Sequence, residues 1–307
     1  MINNILEVSN LKKAYGERVV VNDLSFSICR GEVFGFVGPN GAGKTTTMKI
    51  ILGLVHPSSG EIKINNIKLN EDFESAIAQV GAVIEYPSFY PFLSGLDNLK
   101  LTCRMYGDQL NRRMDELISM VGLSSRINDQ VCKYSLGMKQ RLGICRALIG
   151  TPQLLILDEP TNGLDPDGVI EFRKILNDIV SNEHLSVMIS GHILSELDKI
   201  CERALIIDNG KYVSTVDIKK NSIYQVIRIV TEQLDEALTA LSLSSSWEVI
   251  NSDSISISVK IHSKEVQNLI MYLINKSISI NSFSAEKEIL ENAYINLIKS
   301  KKEQSNE

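Results

Sequence analysis

The sequence predicts an α/β fold: a core of parallel strands with a small antiparallel β lobe and a helical insertion, followed by a small α+β C-terminal domain. Three patterns carry that expectation. Leu154-Leu155-Ile156-Leu157 and Val187-Met188-Ile189 are continuous apolar runs, as parallel strands covered on both faces require. Leu24, Phe26 and Ile28 alternate with Ser25 and Ser27, the period-two pattern of a half-buried antiparallel strand. From about residue 93 to 147 the apolar spacing turns helical and strand signals stop. The chain has 307 residues, 44% hydrophobic and 22% charged. That is enough for one large domain plus a small one, and enough to bury a substantial core.

Taken in order, Gly16-Glu17 before Val19-Val20-Val21 reads as a hairpin turn, and Val33–Val37 as an apolar strand running into a glycine-rich loop. Thr46–Leu52 continues as a helix. Asn65-Asn66, between Ile62/Ile64 and Ile67/Leu69, and Asp208-Asn209-Gly210 carry the residues of tight hairpins. Composition shifts near Asn221, which divides the chain into residues 1–220 and 221–307. Beyond it the pattern gives strand (Tyr224–Val230), helix (Gln233–Leu243), strand (Trp247–Ile250), strand (Ile255–Val259), helix (Glu265–Ile274), strand (Ile278–Phe283) and helix (Glu288–Ile298).

Several functions are disfavoured by composition. A net charge of −5 lacks the basic surplus of a nucleic-acid binder. No apolar run has the length of a membrane span, and Met1-Ile2-Asn3-Asn4 does not open a signal peptide, so the expected place is the cytosol. Five cysteines without C-x-x-C spacing read as reduced core thiols, and four histidines without ligand spacing give no structural metal site.

The sharpest motif is Gly38-Pro39-Asn40-Gly41-Ala42-Gly43-Lys44-Thr45, set between an apolar strand and a helix that opens with Thr46. Glycines let the backbone curl so that successive N–H groups face a triphosphate at the positive end of the helix dipole. Lys44 then reaches the β- and γ-phosphates, and Thr45 offers its hydroxyl to Mg²⁺. The buried run 154–157 ends in Asp158-Glu159. Two adjacent acids are costly inside a protein, so they face ions or water. Asp158 is suited to the Mg²⁺ shell and Glu159 to polarising an attacking water. His192, one strand further on, is a candidate γ-phosphate reader.

On these residues the chain resembles the ABC ATPase family over nearly all of residues 1 to about 220. Tyr134-Ser135-Leu136-Gly137-Met138-Lys139-Gln140-Arg141 is similar to the family's signature motif, and Ser135 is a good helix N-cap. The resemblance implies a P-loop ATPase with a RecA-like core, in which Ser135 and Gly137 face the γ-phosphate bound to a second copy. It further implies that Asn162-Gly163-Leu164-Asp165 touches that copy and that Tyr15 stacks on adenine. Two departures stand out. Leu136 and Met138 occupy positions where the general family has Gly and Gln. Glu85, in Val83-Ile84-Glu85-Tyr86-Pro87, stands where the family has a Gln linking Mg²⁺ to the permease-docking region.

Glu85 together with Ser135–Arg141 resembles the bacitracin- and lantibiotic-resistance exporters, which implies a membrane-associated homodimer under a separate transmembrane permease at the cytoplasmic face. Glu85 then serves either as a metal ligand or as a relay to the permease. Tyr86, Phe89, Tyr90 and Phe92 are either core aromatics or a surface groove for a partner helix. The alternatives are another multidrug or general ABC exporter, or a non-transport ABC ATPase. One P-loop, with no coiled coil or zinc module, argues against the last.

Overall fold

The computed structural model describes residues 3–106, 111–183, 185–221, 224–242 and 247–286. It divides into two compact units, Met1–Val216 and Asp217–Glu307, each with its own hydrophobic cluster.

The first unit begins with two long strands, β1 (Asn4–Tyr15) and β2 (Arg18–Cys29), joined at Gly16-Glu17 with Tyr15 opposite Arg18. Strand β3 (Val33–Val37) is buried at every position and leads through the glycine loop into α1 (Lys44–Ile51). Strands β4 (Ser59–Ile64) and β5 (Ile67–Lys68) close on Asn65-Asn66. Both asparagines have positive φ (50° and 64°), the backbone of a hairpin turn that asparagine tolerates. Together these strands make an antiparallel sheet ordered β2-β1-β4-β5. Helix α2 (Phe73–Ile77) and strand β6 (Val80–Val83) follow.

Three helices follow among the described residues: α3 (Gly95–Tyr106), α4 (Asn111–Met120) and α5 (Leu136–Leu148). The α/β pattern resumes with β7 (Leu154–Leu157), α6 (Pro166–Glu183), β8 (Ser186–Gly191), α7 (Leu194–Leu197), β9 (Arg203–Asp208) and β10 (Lys211–Asp217). The second sheet has the order β10-β9-β3-β8-β7-β6, and β9, β3, β8, β7 and β6 run parallel. Every residue of β7 is buried, which explains its unbroken apolar sequence. Strand β6, which sequence patterning did not single out, pairs with β7 and alternates half-buried and buried residues. Glu32, just before β3, is buried and takes a two-pronged ion pair from Arg203 on β9, at 2.7 and 2.9 Å.

The second unit contains α8 (Ile218–Asn221), β11 (Tyr224–Val230), α9 (Leu234–Ser242), β12 (Glu248–Ser252), β13 (Ser256–His262), α10 (Val266–Asn275) and β14 (Ser282–Glu286). The β11–β14 succession is βαββαβ, and its sheet order β12-β13-β11-β14 is the split βαβ arrangement of ferredoxin-like folds. Ile227, Ile229, Ile257, Val259 and Ile261 pack with Ala237, Leu241, Leu269 and Leu273, so both helices cover one face. The sequence pattern starts the last strand at Ile278, four residues early. Ile278 is buried in the core, but pairing begins only where Ser282 meets Val230. An apolar anchor ahead of the strand extended the alternation without extending the ladder. The expected helix at Glu288–Ile298 lies outside the described residues.

Because the two clusters draw on residues of their own unit, truncation after Asn221 is expected to leave a soluble first unit that unfolds in one cooperative denaturant transition. An insoluble or non-cooperative product, followed by circular dichroism in urea, contradicts that.

Candidate nucleotide site

Three neighbouring strands deliver the predicted residues to one edge of the sheet. β3, β8 and β7 lie side by side and parallel, with Val37 level with Gly191 and Leu157 level with Ile189. Their carboxyl ends therefore finish together. Gly38–Thr45 follows β3, Asp158-Glu159 follows β7 and His192 follows β8. The carboxyl edge of an open parallel sheet is where such folds bind ligands.

The loop geometry depends on its glycines. Gly43 has φ +100°, and a Cβ there would stand 2.7 Å from the Val20 carbonyl oxygen. Gly38 leaves equally little room: its Cβ would lie 2.5 Å from the Ile207 carbonyl. The loop closes on itself through Ala42 N–H donating to the Pro39 carbonyl at 3.1 Å.

Lys44, the first residue of α1, is only 4% exposed. Its ammonium donates to the Gly38 and Pro39 carbonyls at 2.8 and 3.2 Å and pairs with Glu159 Oε1 at 3.1 Å. Thr45 Oγ1 donates to Asp158 Oδ2 at 2.7 Å. Ser190 Oγ, on β8, donates to Asp158 Oδ1 at 2.6 Å and accepts from the Glu159 N–H at 2.9 Å.

The Glu159 carboxylate is met by three side chains. Besides Lys44, its Oε2 meets Asn162 Nδ2 at 2.5 Å and His192 Nδ1 at 3.1 Å. Partial burial pushes its carboxyl pKa up, but the hydrogen bond and charge of Lys44, with His192 and Asn162, outweigh that and hold it below the usual carboxylate range. Its backbone has φ +46°, a left-handed conformation that costs a non-glycine residue roughly 1–3 kcal/mol.

A cavity of about 540 Å³ opens over these groups, lined by Tyr15, Arg18 and Val20 from the first hairpin and by Asn40, Gly41, Gly43, Lys44, Thr45, Thr46 and Glu159. The hairpin register puts Tyr15 opposite Arg18, so both reach one face of the lobe. Lys13 Nζ stands 4.8 Å from the Tyr15 ring centre.

The signature residues are elsewhere. Ser135 caps α5, accepting from Met138 N–H at 3.2 Å, and neither it nor Gly137 lines the cavity. Glu85 also stands apart: it is exposed, has φ +58°, and is bound by Lys49 of α1 at 2.7 Å. Tyr86, Tyr90 and Phe92 are exposed, while Phe89 lies under the Arg146 guanidinium at 4.6 Å. Three of the four rings thus lie at the surface, and Phe89 is half-buried.

A model of the ABC transporter family matches residues 21–162. Bacitracin transport ATP-binding protein BcrA of Bacillus licheniformis is 33% identical over 301 residues, 97% of this chain and 98% of its own. The chain belongs to the ABC transporter ATP-binding subunits. Lantibiotic transport ATP-binding protein SrtF of Streptococcus pyogenes is 43% identical over 209 residues, 68% of this chain and 89% of its own. The dimeric, ADP- and phosphate-bound structure of the ATP-binding cassette MJ0796 matches with TM-score 0.62 and 26% identity, covering 69% of this chain and 98% of that one. As a member of this family, the chain is an ATP-hydrolysing transporter subunit, and the family binds ATP, typically with Mg²⁺.

Two residues of this ABC subunit escaped the sequence patterning. Arg18 carries no motif, and only the hairpin register brings it beside Tyr15. Ser190 carried a signal: a hydroxyl inside a buried apolar strand needs partners, and it finds them on the adjacent acids. Replacing Gly43 with Ala is expected to lower the unfolding free energy by about 1–3 kcal/mol, because it adds strain at φ +100° and a clash with Val20. It should weaken ATP binding as well. Unchanged urea midpoint and affinity would show that the loop relaxes freely.

Proposed function

We propose that this chain powers an exporter of antimicrobial peptides of the bacitracin or lantibiotic type, acting as two copies beneath a separately encoded permease at the cytoplasmic face of the membrane. The peptide class rests on the similarity to BcrA and SrtF. Among the described residues no helix is long and apolar enough to cross a membrane, so transport through the bilayer is assigned to a partner chain.

The observation that carries the hydrolytic role is the Glu159 carboxylate held by Lys44, Asn162 and His192 at the mouth of the glycine loop. In this reading Lys44 moves its charge onto the β- and γ-phosphates, Tyr15 stacks on the adenine, and the backbone of Gly38–Thr45, with Thr46, cradles the phosphates. Glu159 accepts a proton from the attacking water, and His192 orients the γ-phosphate end. Mg²⁺ fits the donor set: Thr45 Oγ1 and Asp158 Oδ2 are hard oxygens 2.7 Å apart, and Mg²⁺ is held by one or two carboxylates plus substrate phosphates. Once bound it neutralises charge on the phosphates.

The two-copy reading is supported by the separation of Ser135 and Gly137 from the cavity. A capped helix start with free N–H groups suits an anion, and a second chain could bring that anion to it. The similarity to a dimeric cassette points the same way.

Lys44→Ala is expected to abolish ATP binding in calorimetry. Glu159→Gln should bind ATP while turning over about 10²–10⁴ times more slowly, with light scattering in ATP and Mg²⁺ giving the mass of two chains. Wild-type hydrolysis by that variant would remove Glu159 as the base.

Glu85, engaged by Lys49 and exposed, is read as the relay to the permease rather than as a metal ligand. An exposed ion pair contributes only about 0–1 kcal/mol, so Glu85→Ala should leave stability and ATP binding intact. It should impair peptide resistance in cells by more than it lowers ATPase activity of the isolated subunit. Parallel loss of both would make Glu85 a metal or water ligand instead.

A further inference from the structure

We infer that Ser190 is a positioning residue for hydrolysis, acting through one hydroxyl that fixes the Asp158 carboxylate and the Glu159 backbone to the strand carrying His192. The inference rests on the assignment of Glu159 as the base.

Strand β8 breaks its apolar run at Ser190. Val187, Met188 and Ile189 are buried and apolar, as a central parallel strand demands, yet Ser190 is equally buried, at 1% exposure. A serine hydroxyl has one proton to give and lone pairs to accept with. Here the proton goes to Asp158 Oδ1 at 2.6 Å, and a lone pair takes the Glu159 N–H at 2.9 Å. Both partners lie on the neighbouring strand end. Valine or alanine at 190 would suit the strand but leave a carboxylate oxygen and a backbone N–H without this partner in a buried place.

The geometry also explains why the hold matters. Glu159 has φ +46°, which an unbranched non-glycine residue keeps only when its surroundings impose it. Its backbone N–H is anchored by Ser190, while its side chain is met by Lys44, Asn162 and His192. Asp158 is clamped the same way, with Thr45 on one carboxylate oxygen and Ser190 on the other. Because Ser190 is two residues before His192 on the same chain, the acids and the histidine share one reference point. Loss of the hydroxyl should loosen the acids relative to the phosphates, where an error near 1 Å costs about a hundredfold in rate. The curl of the glycine loop and the place of Tyr15 should stay, since the Ser190 hydroxyl bonds Asp158 and the Glu159 N–H rather than either of them.

The test compares Ser190→Ala, Ser190→Thr and Glu159→Gln in the full chain. Ser190→Ala is expected to lower kcat by about ten- to a hundredfold while the KM for ATP changes by less than about threefold. Ser190→Thr, which keeps the hydroxyl, should recover most of the rate. A readout independent of turnover is hydrogen exchange. The Glu159 amide should exchange at least about tenfold faster in Ser190→Ala, as the opening of a single local bond allows, with Ile156 and Met188 amides unchanged.

Wild-type kcat and unchanged Glu159 exchange in Ser190→Ala would overturn the proposal. So would faster exchange throughout β7 and β8 that threonine fails to restore, because that marks a general packing role. If Glu159→Gln instead turns over at the wild-type rate, the base assignment falls, while the exchange data still decide whether Ser190 holds that backbone.

Discussion

An ammonium group buried at the end of a parallel sheet is the constraint around which this site is arranged. Lys44 is 4% exposed, and a charge so far from water must be met by oxygen atoms. The Gly38 and Pro39 carbonyls meet it from one side and Glu159 from the other. The first demand sets the curl of the glycine loop. The second sets where β7 must end and why Glu159 departs from ordinary backbone geometry. Glu159 is in turn kept ionised against its own burial by Lys44, His192 and Asn162. The parallel register supplies the rest, since Val37 with Gly191 and Leu157 with Ile189 bring three loops to one edge without long side-chain reach.

What was legible in the sequence follows from how local each feature is. Gly38–Thr45 could be read because its glycine spacing and its flanking strand and helix are local, although the carbonyls that bar a side chain at Gly38 and Gly43 come from Ile207 and Val20, and Asp158-Glu159 because two acids after an apolar run contradict a buried strand. The hairpins at Gly16-Glu17, Asn65-Asn66 and Asn209-Gly210 were legible because positive φ restricts the residues that fit. Features set by pairing between distant segments were hidden. Arg18 becomes a cavity residue only through its position opposite Tyr15. Strand β6 has only four residues, and its burial comes from β7 and α5 rather than from a pattern of its own. The start of β14 was misplaced because Ile278 and Ile280 pack beside a ladder they do not join.

The C-terminal unit obeys the same rules with weaker punctuation. Its helices cover one sheet face, so alternation in β11 and β13 is clear: Ile227, Ile229, Ile257, Val259 and Ile261 point inward. The opposite face carries Arg228, Ser258, Lys260 and Ser284, aligned by the register. Arg228 is itself engaged by Asp253 and Ser256. Val226 and Val230, half-buried, share that face, so it is mixed rather than uniformly polar. The order of the strands, however, could not be read from periodicity, because βαββαβ segments admit several pairings and only long-range contacts select one.

One departure from the signature motif, Leu136, acquires a structural meaning through the loop that follows Glu159. A Cβ at Gly163 would stand 2.9 Å from Leu136 Cδ2, and one at Gly137 would lie 3.6 Å from Leu164 Cδ2. Leu136, where the general family has glycine, therefore packs on the segment that begins with Asn162. Asn162 in turn donates to the Glu159 carboxylate. The start of α5 and the acidic strand end are thus joined by two contacts in series, one apolar and one hydrogen-bonded. A larger residue at 136 leaves Ser135 free to cap α5, since the cap uses the Met138 N–H on the helix itself. Residue 163 is held to glycine by its own backbone, whose φ of +76° favours a residue without a Cβ, and the Leu136 methyl packs in the space that leaves.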